Sequence, residues 1–184
     1  MQGARSELEH GALAPTQALL GGLNVAAVQA AIGGAAHDPG FDTRREGFRV
    51  GTLHFMVRYA DGNELAEMPA VCRLPHSPGW FLGMTNLHGT LVPVFDLAGH
   101  WGTEHVDGAT RMLLVLGHGD ERAGIVIDGL PTRLRPTAGD RLEAAAEPPA
   151  LAGCVSAVHR IGDTDWIDLN CNALLERLQS ELAQ

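Results

Sequence analysis

The sequence predicts a mainly β protein in which two small barrels pack together and a C-terminal helix follows. Three observations lead to this prediction. Short runs of apolar or β-branched residues are separated by Gly, Pro and Asp turns, as in strand-rich domains. Two segments, Pro78–Leu97 and Pro148–Leu169, resemble each other and indicate an internal duplication. Near the end of the chain, leucines recur at helical spacing, at Leu174, Leu175, Leu178 and Leu182.

Residues 1–42 are predicted to be an N-terminal extension that precedes a main domain of residues 43–184. The stretch from Ala18 to Ala36 carries no charge, but it consists mostly of Ala and Gly. A membrane-spanning helix normally needs about 20 strongly apolar residues. We therefore expect a short amphipathic helix with Thr16 as its N-cap, then a Gly/Pro linker, and no direct membrane insertion. The acidic residues among the first ten do not fit a signal peptide.

The first strand-like run spans Leu53 to Tyr59, where apolar residues alternate with His54, Met56 and Arg58. Asp61-Gly62 follows at once and predicts a tight hairpin turn, because both central residues of that turn need a positive φ. The next segment, with the sequence NELAEM, is compatible with a strand or with a helical turn.

A second strand pair is predicted at Arg111–Leu116 and Ala123–Leu130, joined by the turn sequence GHGDER. Pro131 and Pro136 are expected to interrupt regular structure after it. The C-terminal helix should have about three turns, with Asn170 or Asn172 as its N-cap.

The two duplicated segments each begin with proline, cross a glycine-bearing turn and end on Asp-Leu. If Asp96 corresponds to Asp168, the second copy needs a turn that is longer by two residues. Two such units predict two packed barrels, because closure into a barrel removes the exposed sheet edges that short strands otherwise leave. Pro93, within the strand of the first copy, predicts an edge strand or a bulge.

Composition excludes several classes of function. The formal net charge is -9, with only 13 basic residues and no basic cluster, which disfavours binding to nucleic acid or to an anionic membrane surface. The three cysteines Cys72, Cys154 and Cys171 are odd in number and widely spaced, which indicates neither a disulfide framework nor a cysteine zinc site. We expect a protein of the reducing cytoplasm.

No group of residues predicts catalysis. Neither Ser77 nor Ser156 lies in a Gly-x-Ser-x-Gly turn, and Cys72 is separated from His76 by a proline. Asp96 and Asp168 both end predicted strands, where a carboxylate usually caps the next turn. We therefore expect no enzymatic activity and neither a cofactor nor a metal.

An alternative from another class stays open at this stage. A small β-barrel metal-binding or enzymatic module would use His100, Glu104 and His105, although their spacing does not match a known zinc motif.

The segment from Gly83 to Leu97, GMTNLHGTLVPVFDL, resembles the core motif of the CheW-like domain family, the adaptors of bacterial chemosensory arrays. That motif has the form Gly-apolar-x-Asn-Leu-x-Gly-x-apolar-x-Pro-apolar-x-Asp-Leu. The resemblance covers the chain from about Phe48 to the last helix. It implies two five-stranded SH3-like barrels on a shared core, with a C-terminal helix. It also implies a non-catalytic adaptor that couples a CheA-type histidine kinase to chemoreceptor tips at membrane-associated receptor arrays.

The resemblance also implies the partner-binding residues. In the motif they are Gly83, Asn86, His88 and Gly89, although we interpret the two glycines as residues that shape the barrel hairpin. A second segment, linked in the family to kinase and receptor contact, corresponds to Leu65, Glu67 and Met68.

His88 departs from the family pattern. Relatives usually carry arginine there, in the sequence Asn-Leu-Arg-Gly, and the arginine lies where the adaptor meets the receptor. Histidine is shorter and near neutral at pH 7. The histidine form and the flanking sequences resemble the PilI branch, whose members are adaptors of twitching motility. A third hypothesis is a protein that keeps this fold but has lost the kinase contact.

Overall fold

The computed structural model describes residues 43–61, 64–143 and 149–183. The predicted helix and linker of residues 1–42 lie outside the described residues. Ten strands in the described part form two five-stranded sheets, as predicted. In spatial order, sheet 1 contains β8 (Thr132–Leu134), β1 (Arg45–Val50), β2 (Leu53–Arg58), β10 (Thr164–Leu169) and β9 (Val155–Ile161). Sheet 2 contains β3 (Glu64–Glu67), β6 (Arg111–Leu116), β7 (Ala123–Asp128), β5 (Thr90–Phe95) and β4 (Phe81–Leu87).

Two α-helices and four 3₁₀ turns complete the described structure. Helix α1 (Leu97–Trp101) follows β5, and helix α2 (Cys171–Leu182) follows β10. The 3₁₀ turns span Tyr59–Asp61, Gly119–Glu121, Ala138–Asp140 and Pro149–Leu151. None of these helices is both long and apolar enough to cross a membrane.

The two sheets share one topology. Each has an antiparallel hairpin at its centre, β1–β2 in sheet 1 and β6–β7 in sheet 2. The first strand of that hairpin pairs with a short outer strand, β8 or β3, and the second pairs in parallel with the last strand of another hairpin, β9–β10 or β4–β5. Sheet 1 therefore combines the first two strands with the last three, whereas sheet 2 uses the five consecutive strands between them.

Each sheet closes in the same way. The chain that leaves the outer strand crosses to the opposite edge and forms one bridge there, Cys72 to Met84 of β4 in sheet 2 and Arg141 to His159 of β9 in sheet 1. We call the two closed sheets barrel 1 and barrel 2, after their sheets. Closure explains how strands of three to seven residues form stable sheets, since few unpaired edges remain.

The predicted duplication is confirmed, but its predicted alignment was wrong. Hairpin β4–β5 matches hairpin β9–β10 at an offset of 74 residues, and both contain a register shift at the same place. The pairs of β4–β5 are Phe81 with Phe95, Gly83 with Val94 and Leu87 with Thr90, and those of β9–β10 are Val155 with Leu169, Ala157 with Asp168 and Ile161 with Thr164.

Both hairpin turns contain two residues, so the longer turn predicted for the second copy does not exist. The counterpart of Asp96 is Asn170, and each of these residues is the N-cap of the helix that follows its hairpin. Asp168 instead lies inside β10, where its side chain turns into barrel 1. The alignment was wrong because both segments contain the pair Asp-Leu, whereas the structural counterpart of Asp96 is an asparagine. Asp and Asn serve equally well as N-caps.

The predicted hairpin at Asp61-Gly62 was also wrong, because β2 and β3 belong to different sheets. Asp61 is buried, and its carboxylate accepts a 2.9 Å hydrogen bond from the Arg58 guanidinium. Its carbonyl accepts the N–H of Gly117, which follows β6, at 2.9 Å. Asp61 therefore fixes the position of the chain where it passes from barrel 1 to barrel 2. The strands β1 and β8 were not predicted, and β8 lies between the two prolines expected to interrupt regular structure.

Pro93 does not lie on an edge strand, since β5 has β4 on one side and β7 on the other. Its pairing with β7 begins only at Val94. Opposite Pro93, the backbone of Met84 bonds to Cys72 rather than to β5. The missing N–H of proline therefore leaves no ladder bond unmade at this position.

Two apolar clusters form the core. The larger one lies between the barrels and contains Phe48, Phe55, Phe95 and the leucines of α2. The smaller one contains residues of barrel 2 and the segment after β3, and fills that barrel's interior. The strands β6 and β7 contribute to both clusters, which explains why their sequences are continuous apolar runs rather than alternating ones.

The interior of barrel 1 is polar by comparison. Asp168 stands at the position that Val94 occupies in barrel 2, and its carboxylate lies 3.1 Å from Nε of Arg45. Burial raises the pKa of Asp168, and the charge of Arg45 partly opposes this. His159 is buried nearby, and its Nδ1 has no hydrogen-bond partner within the described residues. Burial lowers the pKa of His159, and the nearby Asp168 partly opposes this.

We expect barrel 1 to make the protein sensitive to mild acid. Burial lowers the pKa of both His54 and His159 below the ordinary value of 6.5. Their contribution to stability is therefore complete above about pH 6.5 and is lost as the pH falls below it, because the unfolded chain takes up protons more readily. We expect the free energy of unfolding in urea to decrease from pH 7.5 to pH 5.5. The decrease should be smaller for His54→Gln and His159→Gln than for the parent.

Asp168 acts in the opposite direction, because its raised pKa favours protonation of the folded state. The comparison therefore rests on the difference between parent and variant at each pH. His76→Gln, which alters an exposed histidine, is the matched control and should behave like the parent. If the free energy of unfolding decreased equally for the parent, His54→Gln and His159→Gln, the acid sensitivity would not come from these two histidines.

Candidate functional site

The motif that carries the family resemblance forms the tip of hairpin β4–β5. His88 and Gly89 are its two turn residues, and both have a positive φ, 51° and 86°. This is the type I′ turn that matches the twist of a hairpin. The side chain of Asn86 supports the turn, since its Oδ1 accepts the N–H of Gly89 at 2.8 Å. The motif Asn-Leu-His-Gly thus encodes the shape of the tip, and only the His88 ring is left to project from it.

The His88 ring points into solvent and touches the beginning of β3. Its side chain is 81% exposed, and Nε2 lies 2.8 Å from Oε1 of Glu64. β3 and β4 are opposite edges of sheet 2, so only closure of barrel 2 brings these two residues together. Glu64 was not singled out from the sequence, because a pair separated by 24 positions leaves no local signal.

β3 carries the second predicted segment. Ala66 packs against the apolar interior of barrel 2, and strand alternation therefore directs Leu65 and Glu67 outward. Leu65 is 40% exposed, and Met68, which follows the strand, is 36% exposed. Large apolar side chains that are exposed on a strand beside charged residues are typical of protein-binding surfaces.

The predicted residues Leu65, Glu67 and Met68 therefore lie on β3 and just after it, and Asn86, His88 and Gly89 lie at the hairpin tip. The pair of Glu64 and His88 joins the two groups. We call this combined region, with Glu64 included, the β3–tip surface. Leu91, 66% exposed and opposite Asn86 in the hairpin, is a further apolar residue near the tip that sequence reasoning missed.

Gly83 is not part of the exposed surface. It is buried, its φ is 129°, and a Cβ atom added to it would lie 2.1 Å from the carbonyl oxygen of Cys72. The neighbouring Met84 and Cys72 exchange both of their backbone hydrogen bonds, at 2.8 and 2.9 Å. Gly83 therefore allows the close backbone approach that closes barrel 2.

The histidines of the alternative metal site do not converge. Nε2 of His100 lies 2.5 Å from a carboxylate oxygen of Glu181 on α2, and Glu104 is exposed. His105 faces two other carboxylates, with Nδ1 2.8 Å from Asp128 and Nε2 3.0 Å from Asp96. Among the described residues, no group of three His, Cys, Asp or Glu side chains is arranged to hold a metal ion.

His105 belongs to a network that joins the two barrels. The Asp128 side chain is 0% exposed, and its second oxygen accepts the N–H of Gly51 at 2.6 Å. Gly51 lies in the β1–β2 turn of barrel 1, whereas Asp128 ends β7 of barrel 2. His105 and Asp128 therefore connect the end of one barrel to a turn of the other.

Comparison with known proteins agrees with the architecture. The family model described as the CheW-like domain matches residues 47–179. A probable chemotaxis protein CheW of Rhizobium etli is 29% identical over 91 residues, which cover 49% of this chain and 59% of that protein. Protein PilI of Pseudomonas aeruginosa is 35% identical over 83 residues, which cover 45% of this chain and 47% of that protein.

These matches span about half the length of the curated relatives. Among solved structures, the scaffolding protein TtCheW of Thermoanaerobacter tengcongensis superposes with a TM-score of 0.63 at 16% identity, covering 73% of this chain and 88% of that one. This similarity establishes the fold, and the family model covers most of the described chain. The chain therefore belongs to the CheW-like domain family.

Proposed function

We propose that this chain is a non-catalytic, cytoplasmic adaptor that couples a CheA-type histidine kinase to the cytoplasmic tips of methyl-accepting chemoreceptors, in membrane-associated arrays. The observation that carries the proposal is the β3–tip surface. It combines exposed apolar side chains with the family motif at a tight hairpin tip. The relatives named as chemotaxis proteins and the scaffolding protein of the same fold support this reading.

The kinase contact is assigned to β3. Leu65 and Met68 are exposed apolar side chains next to the acidic Glu67, and the strand beneath them is held by four pairs with β6. A partner domain of the SH3-like type, such as the regulatory domain of the kinase, would bury these two side chains. A few side chains buried near the centre of an interface usually supply most of its binding free energy.

The receptor contact is assigned to the hairpin tip. His88 projects from a turn whose backbone is already ordered by the hydrogen bond that the N–H of Gly89 donates to Oδ1 of Asn86. A preorganised tip loses little conformational entropy on binding. Since His88 replaces the usual arginine, we infer that this contact depends on charge less than in relatives. The similarity to PilI supports a role in twitching motility as the narrower form of the proposal.

A binding experiment tests the kinase contact. The purified full chain should bind the regulatory domain of its cognate kinase at concentrations of tens of micromolar or below, roughly −6 kcal/mol or stronger. Leu65→Glu places a charge where an apolar contact is proposed, and should weaken binding about tenfold or more, as loss of an interface anchor does. Leu130→Glu, which alters a side chain that is 76% exposed after β7, is the matched control and should bind like the parent.

Failure of the parent to bind the kinase domain would refute the adaptor function. Equal weakening by Leu65→Glu and Leu130→Glu would leave the function standing but refute the assignment to β3. Melting temperatures of both variants should stay close to that of the parent, because exposed substitutions rarely cost more than about 0.5 kcal/mol.

The test of the receptor contact compares two exposed histidines that have the same backbone conformation. His88 has a φ of 51° and His76 has a φ of 62°. His88→Glu removes the imidazole ring from the proposed contact and places a second carboxylate next to Glu64, so it should weaken binding to the receptor tip about tenfold, as loss of an interface anchor does. His76→Glu should have no effect on that binding, and His88→Arg should retain it. A large loss of stability in His88→Glu would show that the residue is structural.

A further inference from the structure

β3 is an edge strand, and its outer side is unpaired. It comes first in the spatial order of sheet 2, and all four of its residues pair with β6. Residues in an antiparallel pair direct their backbone N–H and C=O groups alternately toward the neighbouring strand and away from it. Two of the four residues therefore direct both groups away from β6. In the part of the chain that the structure describes, no backbone hydrogen bond satisfies these outward groups.

Closure of barrel 2 leaves this edge open. The closing backbone bonds join Cys72 to Met84, at 2.8 and 2.9 Å, after the chain has left β3. Beside β3 itself, the contact with the hairpin tip is made by side chains, since Nε2 of His88 lies 2.8 Å from Oε1 of Glu64. A contact between side chains does not satisfy backbone groups, so β3 keeps free donors and acceptors at its outer side.

The equivalent strand of barrel 1 has features that block such an edge. β8 contains three residues, follows Pro131 directly and carries Arg133 at its centre. Short length, proline and charge are common means by which proteins prevent a further strand from pairing. β3 contains four residues, does not follow a proline, and carries Leu65, which is 40% exposed. Because both barrels share one topology, this difference marks β3 as the edge that is available.

We propose that a strand of the kinase regulatory domain pairs with the outer edge of β3. This inference rests on the proposed function, because it specifies how the kinase contact is made. An extended backbone presents N–H and C=O groups at the spacing of the free groups of β3. Addition of a strand to an open sheet edge is a recurring mode of protein recognition.

Glu67 and Leu65 specify the side chains of the added strand. Glu67 is exposed and forms no ion pair with any other residue that the structure describes. A basic side chain opposite Glu67 would therefore form a favourable cross-strand pair. Leu65 lies on the same face of β3 as Glu67, and an apolar side chain opposite it would bury it. The partner strand should thus carry an apolar and a basic residue two positions apart.

A proline scan of β3 tests the proposal, with Glu64→Pro, Leu65→Pro, Ala66→Pro and Glu67→Pro. Proline at a residue whose N–H points outward removes a free donor and no bond to β6. Two variants at alternate positions should therefore keep the melting temperature of their alanine counterparts, the parent serving as the counterpart at position 66. These two should bind the kinase regulatory domain about tenfold more weakly than their counterparts, because a backbone bond is lost and the proline ring obstructs the added strand.

Amide hydrogen exchange of the full-length parent, followed residue by residue by NMR, is a second measurement. In the free chain, the two outward amides of β3 should exchange faster than the two that bond to β6. The kinase domain should slow exchange of the outward amides about tenfold or more, since they then donate to the added strand. The amides of β8 serve as the control and should not change.

The outcomes separate this inference from the proposed function. If the parent does not bind the kinase domain, the adaptor function fails and strand pairing fails with it. If the parent binds but the stable proline variants bind as tightly as their alanine counterparts, the kinase contact stands and strand pairing is wrong. If all four proline variants unfold, hydrogen exchange decides, and unchanged exchange of the outward amides in the complex overturns the proposal.

Discussion

Substitution of Gly83 by alanine should destabilise this protein by about 3 kcal/mol or more, close to the largest effects of single substitutions. The added Cβ would lie 2.1 Å from the carbonyl oxygen of Cys72 and 2.9 Å from the Cα of Arg73. Both atoms belong to backbone, so neither can move aside cheaply. The φ of 129° adds strain for any L side chain. Urea denaturation followed by circular dichroism measures the effect.

Gly89→Ala is the matched control. Its φ of 86° is also positive, but an added Cβ there meets nothing within 4 Å. This variant should lose only about 1 kcal/mol, the cost of the backbone conformation alone. If Gly83→Ala cost no more than Gly89→Ala, the close approach of Cys72 would not be needed for folding. Because closure brings β3 to the hairpin tip, Gly83→Ala should also impair partner binding, whereas Gly89→Ala should impair it less.

Substitution of His105 by leucine should lower the free energy of unfolding by about 3 kcal/mol, the scale for leaving a buried carboxylate without its side-chain hydrogen-bond partner. The imidazole lies 2.8 Å from Asp128 and 3.0 Å from Asp96. Without it, the fully buried Asp128 carboxylate keeps only backbone partners, the N–H of Gly51 at 2.6 Å and of Val106 at 3.4 Å. For a domain of this size the melting temperature should fall by roughly 10 °C.

Asp128→Asn in the His105→Leu background separates charge from packing. If the loss comes from a buried unpaired carboxylate, the amide should recover part of it, because no charge is then left without a partner. If the double variant is no more stable than His105→Leu, the loss comes from the void left by the ring. His118→Leu removes a surface histidine that makes one hydrogen bond, to the carbonyl of Ala60, and should cost at most about 1 kcal/mol.

Local patterns predicted much of the fold. The alternating run around Phe55 and the two continuous apolar runs are strands β2, β6 and β7 of the structure. The C-terminal helix begins after Asn170, one of the two predicted caps. Each of these depends on residues that are near one another in sequence, so the periodicity and the cap are visible without tertiary information. The duplication was detectable for the same reason, since each hairpin is a contiguous segment.

The errors share one cause. Asp61-Gly62 has the composition of a hairpin turn, but Asp61 is buried and bonded to Gly117, so the chain crosses between barrels there. Pro93 was predicted to mark an edge strand or a bulge because proline breaks a ladder. The edge is wrong, since β5 is an interior strand whose pairing with β7 starts one residue later, whereas the hairpin does contain a register shift close by, between Phe81 and Gly83. In both cases a distant strand decided the outcome, and local propensity carries no information about such a neighbour.

The candidate site divides in the same way. The sequence by itself determined the tip, because Asn86, His88 and Gly89 encode a type I′ turn through their own side chains and φ values. Only the tertiary structure decided that β3 lies beside that tip, that Gly83 acts through the backbone, and that the outer edge of β3 stays unpaired. These arrangements depend on barrel closure and on the pairing of the third strand with the sixth. Contacts between strands so far apart in the chain follow from burial of a common core, which no single segment specifies.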